Sequence, residues 1–251
     1  MSRSAAIAAA EKYFDSGGFL ADLARRVAIP TESQNPARGA ELRAYLETEM
    51  SESLARIGAT SRVFDNPRDK EGKAGGPFLV AELIEDPKRP TVLLYGHGDV
   101  IRGQENEWRA GLGPWTVRQE GERIYGRGTA DNKGQHTINL AAIETVLRTR
   151  GKLGFNLKVL IETEEETGSP GLRAFCEQNK ALLAADVLIS SDGPRLQPRR
   201  QGVQALPERA RGQHRRVLSG DDGGSAGEAH ERAAQVAPQR ARSSSTLTPN
   251  W

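Results

Sequence analysis

Acidic residues follow three predicted buried strands of this 251-residue sequence. The stretch TVLLYGHGDV ends with His97 and Asp99, and the stretch ADVLISSD ends with Asp192. The third stretch, LKVLIETEEE, ends with three consecutive glutamates. Because the carboxyl ends of parallel strands meet at one edge of a sheet, we expect these side chains to surround a single crevice.

A fourth acidic group, Asp131, lies in GRGTADNKGQ, where a glycine-rich loop enters the next predicted helix. Carboxylates gathered around one crevice repel each other and raise each other's pKa unless a positive charge neutralises them. A divalent metal, or a pair of metals, supplies that charge. One imidazole among oxygen donors suits zinc, cobalt or manganese, and we expect zinc first.

The spacing of His97 and Asp99 has a physical reason. Residues i and i+2 of a strand point to the same side, so Asp99 can accept the ring N–H that a metal leaves on His97. We interpret the glycines on either side of His97 as room for metal and substrate to approach the backbone. Taken singly, Asp131 also suits a helix N-cap, Asp192 a turn and the glutamates a solvated loop. His136, in the first turn of its helix, is interpreted as structural.

Hydrophobic periodicity predicts the elements that must position these residues. Helical patterns cover residues 4–29, 39–58, 132–150 and 171–183, and strand patterns cover 61–64, 78–84, 91–96, 157–163 and 185–191. Residues 115–128 indicate a hairpin. Alternating strands and helices predict an α/β fold, with a mainly parallel mixed sheet and helices on both faces.

Residues 198–251 contain no Ile, Phe, Tyr, Met or Lys and have almost no apolar periodicity. We therefore predict a catalytic domain at 1–197 and a disordered Arg/Ala/Gly-rich tail at 198–251. The tail carries nine arginines and five acidic residues, which leaves a net −2 on residues 1–197 and gives no reason to expect nucleic acid as a partner. Neither a secretory signal nor a membrane span is evident, so we expect a cytoplasmic protein.

Four motifs occur in order: YGHGDV, GRGTADNKGQ, IETEEETGSPGL and ISSDGP. With these motifs, over roughly residues 8–197, the sequence resembles the co-catalytic zinc peptidases and deacylases of metallopeptidase family twenty. That family includes acetylornithine deacetylase, succinyl-diaminopimelate desuccinylase, aminoacylase, carnosinase and glutamate carboxypeptidase. The resemblance implies a metal-dependent hydrolase of amide bonds whose substrate is a small molecule, either a peptide or an N-acyl amino acid.

The resemblance also implies a role for individual residues. Asp131 resembles the carboxylate that bridges two metals, often followed by a cis peptide bond, and Asp99 the residue that orients the imidazole. Glu165 resembles the general base, which takes a proton from a water between the metals. Strand alternation alone would group Glu164 with Glu166 and place Glu165 opposite. The implied metal ligands are His97, Asp131 and Asp192 for the first metal, and Asp131 and Glu166 for the second.

The family pattern continues with an inserted dimerisation domain and a later histidine that completes the second metal's shell. Nothing from residue 198 onward resembles either part. We therefore expect an incomplete second metal site, doubtful activity and no homodimer of the family type. The abrupt change in composition leads us to interpret the tail as the product of a shifted reading frame. The alternatives are a non-catalytic metal-binding remnant and a binding module that uses its basic tail.

Overall fold

The computed structural model describes residues 3–67, 75–192, 196–199 and 202–205, all within one compact unit that runs from residue 1 to 218. The helices are α1 (Arg3–Asp15), α2 (Gly18–Val27), α3 (Gly39–Ala44), α4 (Ser51–Arg56), α5 (Lys133–Arg150), α6 (Leu172–Gln178) and α7 (Lys180–Leu183). A π-helical segment, Tyr45–Met50, joins α3 to α4, so the predicted helix at 39–58 is nearly continuous. The predicted helix at 4–29 is divided at Gly17, whose φ of 81° favours glycine.

The strands are β1 (Thr60–Phe64), β2 (Phe78–Leu83), β3 (Thr91–His97), β4 (Arg118–Glu120), β5 (Arg123–Tyr125), β6 (Asn156–Glu162), β7 (Val187–Ser190), β8 (Leu196–Arg199) and β9 (Gly202–Ala205). Five of them form the main sheet, in the order β1-β2-β6-β3-β7. Only β2 runs against the other four, because it pairs antiparallel with both β1 and β6 while β3 pairs parallel with β6 and β7. The mainly parallel mixed sheet is thus confirmed.

Helices cover both faces of this sheet, as predicted. On one face the larger core cluster packs the sheet against α5 and against Tyr45, Leu46, Met50 and Leu54. On the other face Phe78, Val80 and Leu160 pack against Phe175 of α6. β6 is the central strand of the sheet, and all seven of its residues are buried.

The stretch ADVLISSD, which was also predicted to be a buried strand, forms β7 at the edge of the sheet. Val187, Leu188 and Ile189 are 48%, 64% and 45% exposed. Among the described strands β7 pairs with β3 alone, so its apolar residues have a neighbouring strand on one side only. A run of Val, Leu and Ile therefore identified the strand correctly but not its burial, which depends on its neighbours.

A short ribbon that the sequence patterns do not indicate crosses the predicted boundary between domain and tail at residue 198. Strands β8 and β9 pair antiparallel, with Leu196 opposite Ala205. The rest of the segment for which we predicted disorder lies outside the described residues. No helix in the described ranges is long and apolar enough to cross a membrane.

Arg26 ties α2 to the helices beside it. Its guanidinium donates to Thr137 Oγ1 at 2.6 Å and to Ser53 Oγ at 3.0 Å, and its Nε lies 3.2 Å from Glu49 Oε1. We expect Arg26→Met to lower the free energy of unfolding by about 3 kcal/mol, because buried polar groups lose their partner. Arg25→Met is the matched control, since half-exposed Arg25 pairs with the same Glu49 and should contribute about 1 kcal/mol or less. Urea denaturation measures both, and equal losses would contradict this ranking.

Candidate metal centre

The side chains at the carboxyl ends of β3, β6 and β7 meet, together with the loop that precedes α5. Nε2 of His97 lies 2.9 Å from Asp131 Oδ1, 3.8 Å from Glu165 Oε2 and 3.9 Å from Asp192 Oδ2. The His97 side chain is fully buried, whereas the three carboxylates are between 25% and 36% exposed. The centre therefore has a buried imidazole at its base and an open rim of oxygen atoms.

Ligand atoms within 4.8 Å of one another form two groups among the described residues. One group is His97, Asp131 and Glu166, and the other is His97, Glu165 and Asp192. Atoms that bind one zinc ion at about 2.0–2.2 Å lie roughly 3.3 Å from each other. The separations around His97 Nε2 are close to that value, so these side chains could hold a metal ion with little movement.

Asp99 contacts both the imidazole and the loop that follows β6. Its Oδ1 lies 3.3 Å from Nδ1 of His97, and its backbone oxygen lies 3.1 Å from the same nitrogen. The carboxylate also accepts the backbone N–H groups of Glu165 and Glu166, each at 3.1 Å. Asp99 thus couples the direction of the ring to the position of two acidic residues.

Strand alternation fails for the three consecutive glutamates because β6 ends before them. A 3₁₀ turn, Glu165–Thr167, follows β6 and replaces the alternating pattern. The carboxylates of Glu165 and Glu166 reach His97, whereas Glu164 accepts a hydrogen bond from the backbone of Gly76. The sequence pattern alone would have grouped Glu164 with the wrong neighbour.

Asp131 has the local geometry that the resemblance implies. The peptide bond between Asp131 and Asn132 is cis. Asn132 occupies the N-cap of α5 and its side chain makes no capping hydrogen bond. The simpler reading of Asp131 as an N-cap is therefore wrong, and its carboxylate is directed to His97.

The electrostatics of the cluster favour a cation. Burial disfavours a charged imidazole, but the carboxylates of Asp131 and Asp99 outweigh it and raise the pKa of His97 to about 11. Burial, followed by the charge of Asp131, raises the pKa of Glu166 to about 7. Burial also raises the pKa of Glu165, which the positive charge of His97 opposes. Groups of like charge are crowded together here, and a divalent cation would relieve that repulsion.

The glycines beside His97 do not face this cluster, so our interpretation of them is wrong. A Cβ atom at Gly96 would lie 2.6 Å from His136 Nε2, and one at Gly98 would lie 2.6 Å from the ring of Tyr45. Both rings are on the side of the strand opposite His97. The glycines make room for protein side chains, and His136 belongs to neither ligand group among the described residues.

Glu162, which the sequence motifs do not assign to the site, is a buried carboxylate that lies opposite His97 in the β3–β6 register. Its Oε1 accepts the hydroxyl of Tyr95 and, at 2.9 Å, that of Ser169. Ser169 lies in the loop that carries the catalytic candidates, so Glu162 anchors this loop to the sheet. The available signal was an acidic residue directly after the apolar run at residues 159–161.

Lys133 is a second residue that the sequence motifs do not assign a role, and it is fully buried at the start of α5. Its Nζ donates to the backbone oxygens of Arg26 at 2.9 Å and Ile29 at 2.6 Å. Carbonyls at the end of a helix are natural partners for a cation, so Lys133 caps the carboxyl end of α2. From the sequence alone, a lysine close to an acidic motif residue would be expected to lie in solvent.

Comparisons with known proteins agree with this geometry. The family model described as Peptidase family M20/M25/M40 matches residues 93–239, a range that runs past the last sequence motif. The β-Ala-His dipeptidase of Mus musculus is 34% identical over 130 residues, which are 51% of this chain and 26% of that protein.

Solved structures show the same likeness. Human carnosine dipeptidase 1 has a TM-score of 0.66 at 28% identity, over 74% of this chain and 42% of that one. The M20 family metallo-carboxypeptidase Sso-CP2 of Sulfolobus solfataricus has a TM-score of 0.60 at 30% identity, over 71% and 39% of the two chains. The chain spans less than half the length of each of these relatives.

Proposed function

Because the chain belongs to peptidase family M20/M25/M40, we propose that it hydrolyses the amide bond of a small peptide at a divalent metal centre built on His97. The observation that carries the proposal is the position of His97 Nε2, which lies within 4 Å of carboxylates from three different segments of the chain. A buried imidazole surrounded by oxygen donors suits a zinc-type ion.

We propose that the centre holds two ions, both zinc. His97, Asp131 and Asp192 would bind the first, and Asp131 and Glu166 would bind the second. The separations around His97 support the first set, and Glu166 shares a group of close ligand atoms with Asp131. In the described residues neither group contains a second histidine. When bound, a divalent cation polarises a substrate carbonyl and lowers the pKa of water.

We propose that Glu165 transfers the proton during hydrolysis. Its backbone N–H is held by Asp99 and its carboxylate reaches to 3.8 Å from His97 Nε2, at the open rim. There it can take a proton from the attacking water and return it to the leaving amine.

Asp99 is proposed to orient His97, and Asp99→Asn tests this role. One asparagine atom is a donor and cannot accept a backbone N–H, so Glu165 or Glu166 loses its anchor. We expect zinc affinity to fall by roughly 10- to 100-fold in a competition titration, as for other residues that orient metal ligands. The control is Asp86→Asn, since Asp86 accepts the backbone N–H of Lys88 at an exposed site. Equal zinc affinities in the two variants would contradict the orienting role of Asp99.

A hydrolysis assay tests the proposed activity. The chain is loaded with zinc, cobalt or manganese and offered β-Ala-His, another dipeptide and an N-acetyl amino acid, with amine release as the readout. We expect the dipeptides to be cleaved preferentially, because the relatives named above are dipeptidases and a metallo-carboxypeptidase. Preference for the N-acetyl amino acid would make the chain a deacylase, and bound metal without turnover on any substrate would contradict the proposed activity.

A further inference from the structure

Two buried rings lie directly behind the end of the strand that carries His97. Tyr45 is fully buried and His136 is 5% exposed. The Tyr45 hydroxyl lies 3.3 Å from His136 Nδ1, and the two ring centroids are 6.4 Å apart. The pair joins residues that are 91 positions apart in the sequence.

Each ring is in close contact with one of the glycines that flank His97. The space for a side chain at Gly98 is filled by Cδ1 and Cε1 of Tyr45, both 2.6 Å from the Cβ position. The space at Gly96 is filled by His136 Nε2 at 2.6 Å. Since alternate residues of a strand face opposite sides, the rings form a wall behind the backbone while His97 points to the carboxylates.

The same pair is attached to the segment that carries Asp131. The backbone N–H of His136 donates to the carbonyl of Asn132 at 3.1 Å, in the first turn of α5. Lys133, the first residue of that helix, places its Nζ 5.0 Å from the centre of the Tyr45 ring. The wall therefore contacts both elements whose side chains meet at the 2.9 Å separation between His97 and Asp131.

We propose that Tyr45 and His136 are positioning residues, which fix the distance between the strand end at His97 and the start of α5 at Asp131. Neither side chain belongs to a ligand group, so they act through the backbone of residues 96–98 and through the first turn of the helix. This inference rests on the proposed metal centre. It goes beyond that centre by assigning its geometry to a packed pair on the far side of the strand.

The test uses binding of Co²⁺ alone, followed by its visible absorption, which reports both affinity and coordination geometry. We expect Gly98→Ala to weaken Co²⁺ binding by tenfold or more, because the new methyl group meets the Tyr45 ring. Tyr45→Leu is likewise expected to weaken binding and change the spectrum, because the space beside Gly98 loses the ring that fills it. His136→Leu is expected to weaken binding and change the spectrum, as orienting residues do at metal sites.

Phe175→Leu is the matched control, because Phe175 is equally buried but packs on the opposite face of the sheet. It should destabilise the fold while leaving the Co²⁺ spectrum unchanged. Amide hydrogen exchange of the metal-free protein gives a second readout. His136→Leu should speed exchange at residues 96–99, where the N–H of Gly98 donates to the carbonyl of Glu162 at 2.8 Å, and Phe175→Leu should not do so selectively.

The outcomes separate this inference from the proposed function. If the unaltered chain binds Co²⁺ and Gly98→Ala and His136→Leu bind it equally well with the same spectrum, the positioning role is overturned and the metal centre stands. Unchanged affinity and spectrum in Tyr45→Leu would also overturn the role of Tyr45. If the unaltered chain binds no Co²⁺, the metal centre and this inference both fall.

Discussion

Glu165→Gln is expected to lower the kcat for peptide hydrolysis by about 10²- to 10⁴-fold while zinc content stays the same. Glutamine preserves the size and the backbone anchor to Asp99 but cannot accept a proton. The Glu165 carboxylate lies at the open rim, 3.8 Å from His97 Nε2, where it can take a proton from the attacking water. Steady-state kinetics together with metal analysis of the same sample measure the two effects.

The control for this prediction is Glu164→Gln, the neighbouring residue in the same acidic run. Its carboxylate is turned towards Gly76, so we expect kcat to change by less than about threefold, as for a residue outside the reacting groups. Strand alternation would group Glu164 with Glu166 and leave Glu165 on the other side. Loss of turnover in Glu164→Gln with a fully active Glu165→Gln would therefore contradict the assignment.

Asp131→Ala is expected to lower the affinity for both zinc ions by on the order of 10²-fold or more. Even residues that only orient a metal ligand contribute roughly 10- to 100-fold to metal affinity. Asp131 lies 2.9 Å from His97 Nε2 and belongs to the ligand group that includes Glu166, so one carboxylate serves both proposed ions. Isothermal titration with zinc gives affinity and stoichiometry together. Hydrolysis should be lost in parallel.

Asp192→Ala is the comparison for Asp131→Ala, because Asp192 is proposed to bind only the first ion. We expect it to weaken one binding event and leave the second. If the two variants lose the same number of ions with the same affinity change, Asp131 does not bridge the pair.

The convergence of the acidic residues could be predicted from the sequence because it depends on topology. Strands with alternating helices imply a parallel sheet, and parallel strands bring their carboxyl ends to one edge. His97 and Glu162 are directly opposite each other in the sheet, and Tyr95 pairs with Ser190 two residues before Asp192. The local sequence pattern was enough to predict this convergence, because the sheet register brings the ends of the strands together.

Other features depend on contacts between distant segments, which a local pattern does not contain. The glycines beside His97 read as space for a ligand, but the space is taken by Tyr45 and His136 from two different helices. The direction of Glu164 depends on the 3₁₀ turn that ends the strand pattern. Burial of β7 could not be read from its composition either, because exposure depends on which strands lie next to it.

The fold and the chemistry are connected through charge. Carboxylates crowd around one buried imidazole. Two buried cations of the chain, Arg26 and Lys133, contact Glu49 and backbone carbonyls, whereas buried Arg127 interacts electrostatically with Glu166. The carboxylates around His97 still outnumber this charge, which favours an external cation. A metal ion is the simplest species that supplies it.

The most direct measurement of this claim is an anomalous difference map, recorded at the zinc absorption edge from crystals of the chain grown with zinc. We predict a peak about 2.0–2.2 Å from His97 Nε2 and from oxygens of Asp131 and Asp192, with a second peak between Asp131 and Glu166. A map with no peak within coordination distance of His97 would contradict the account.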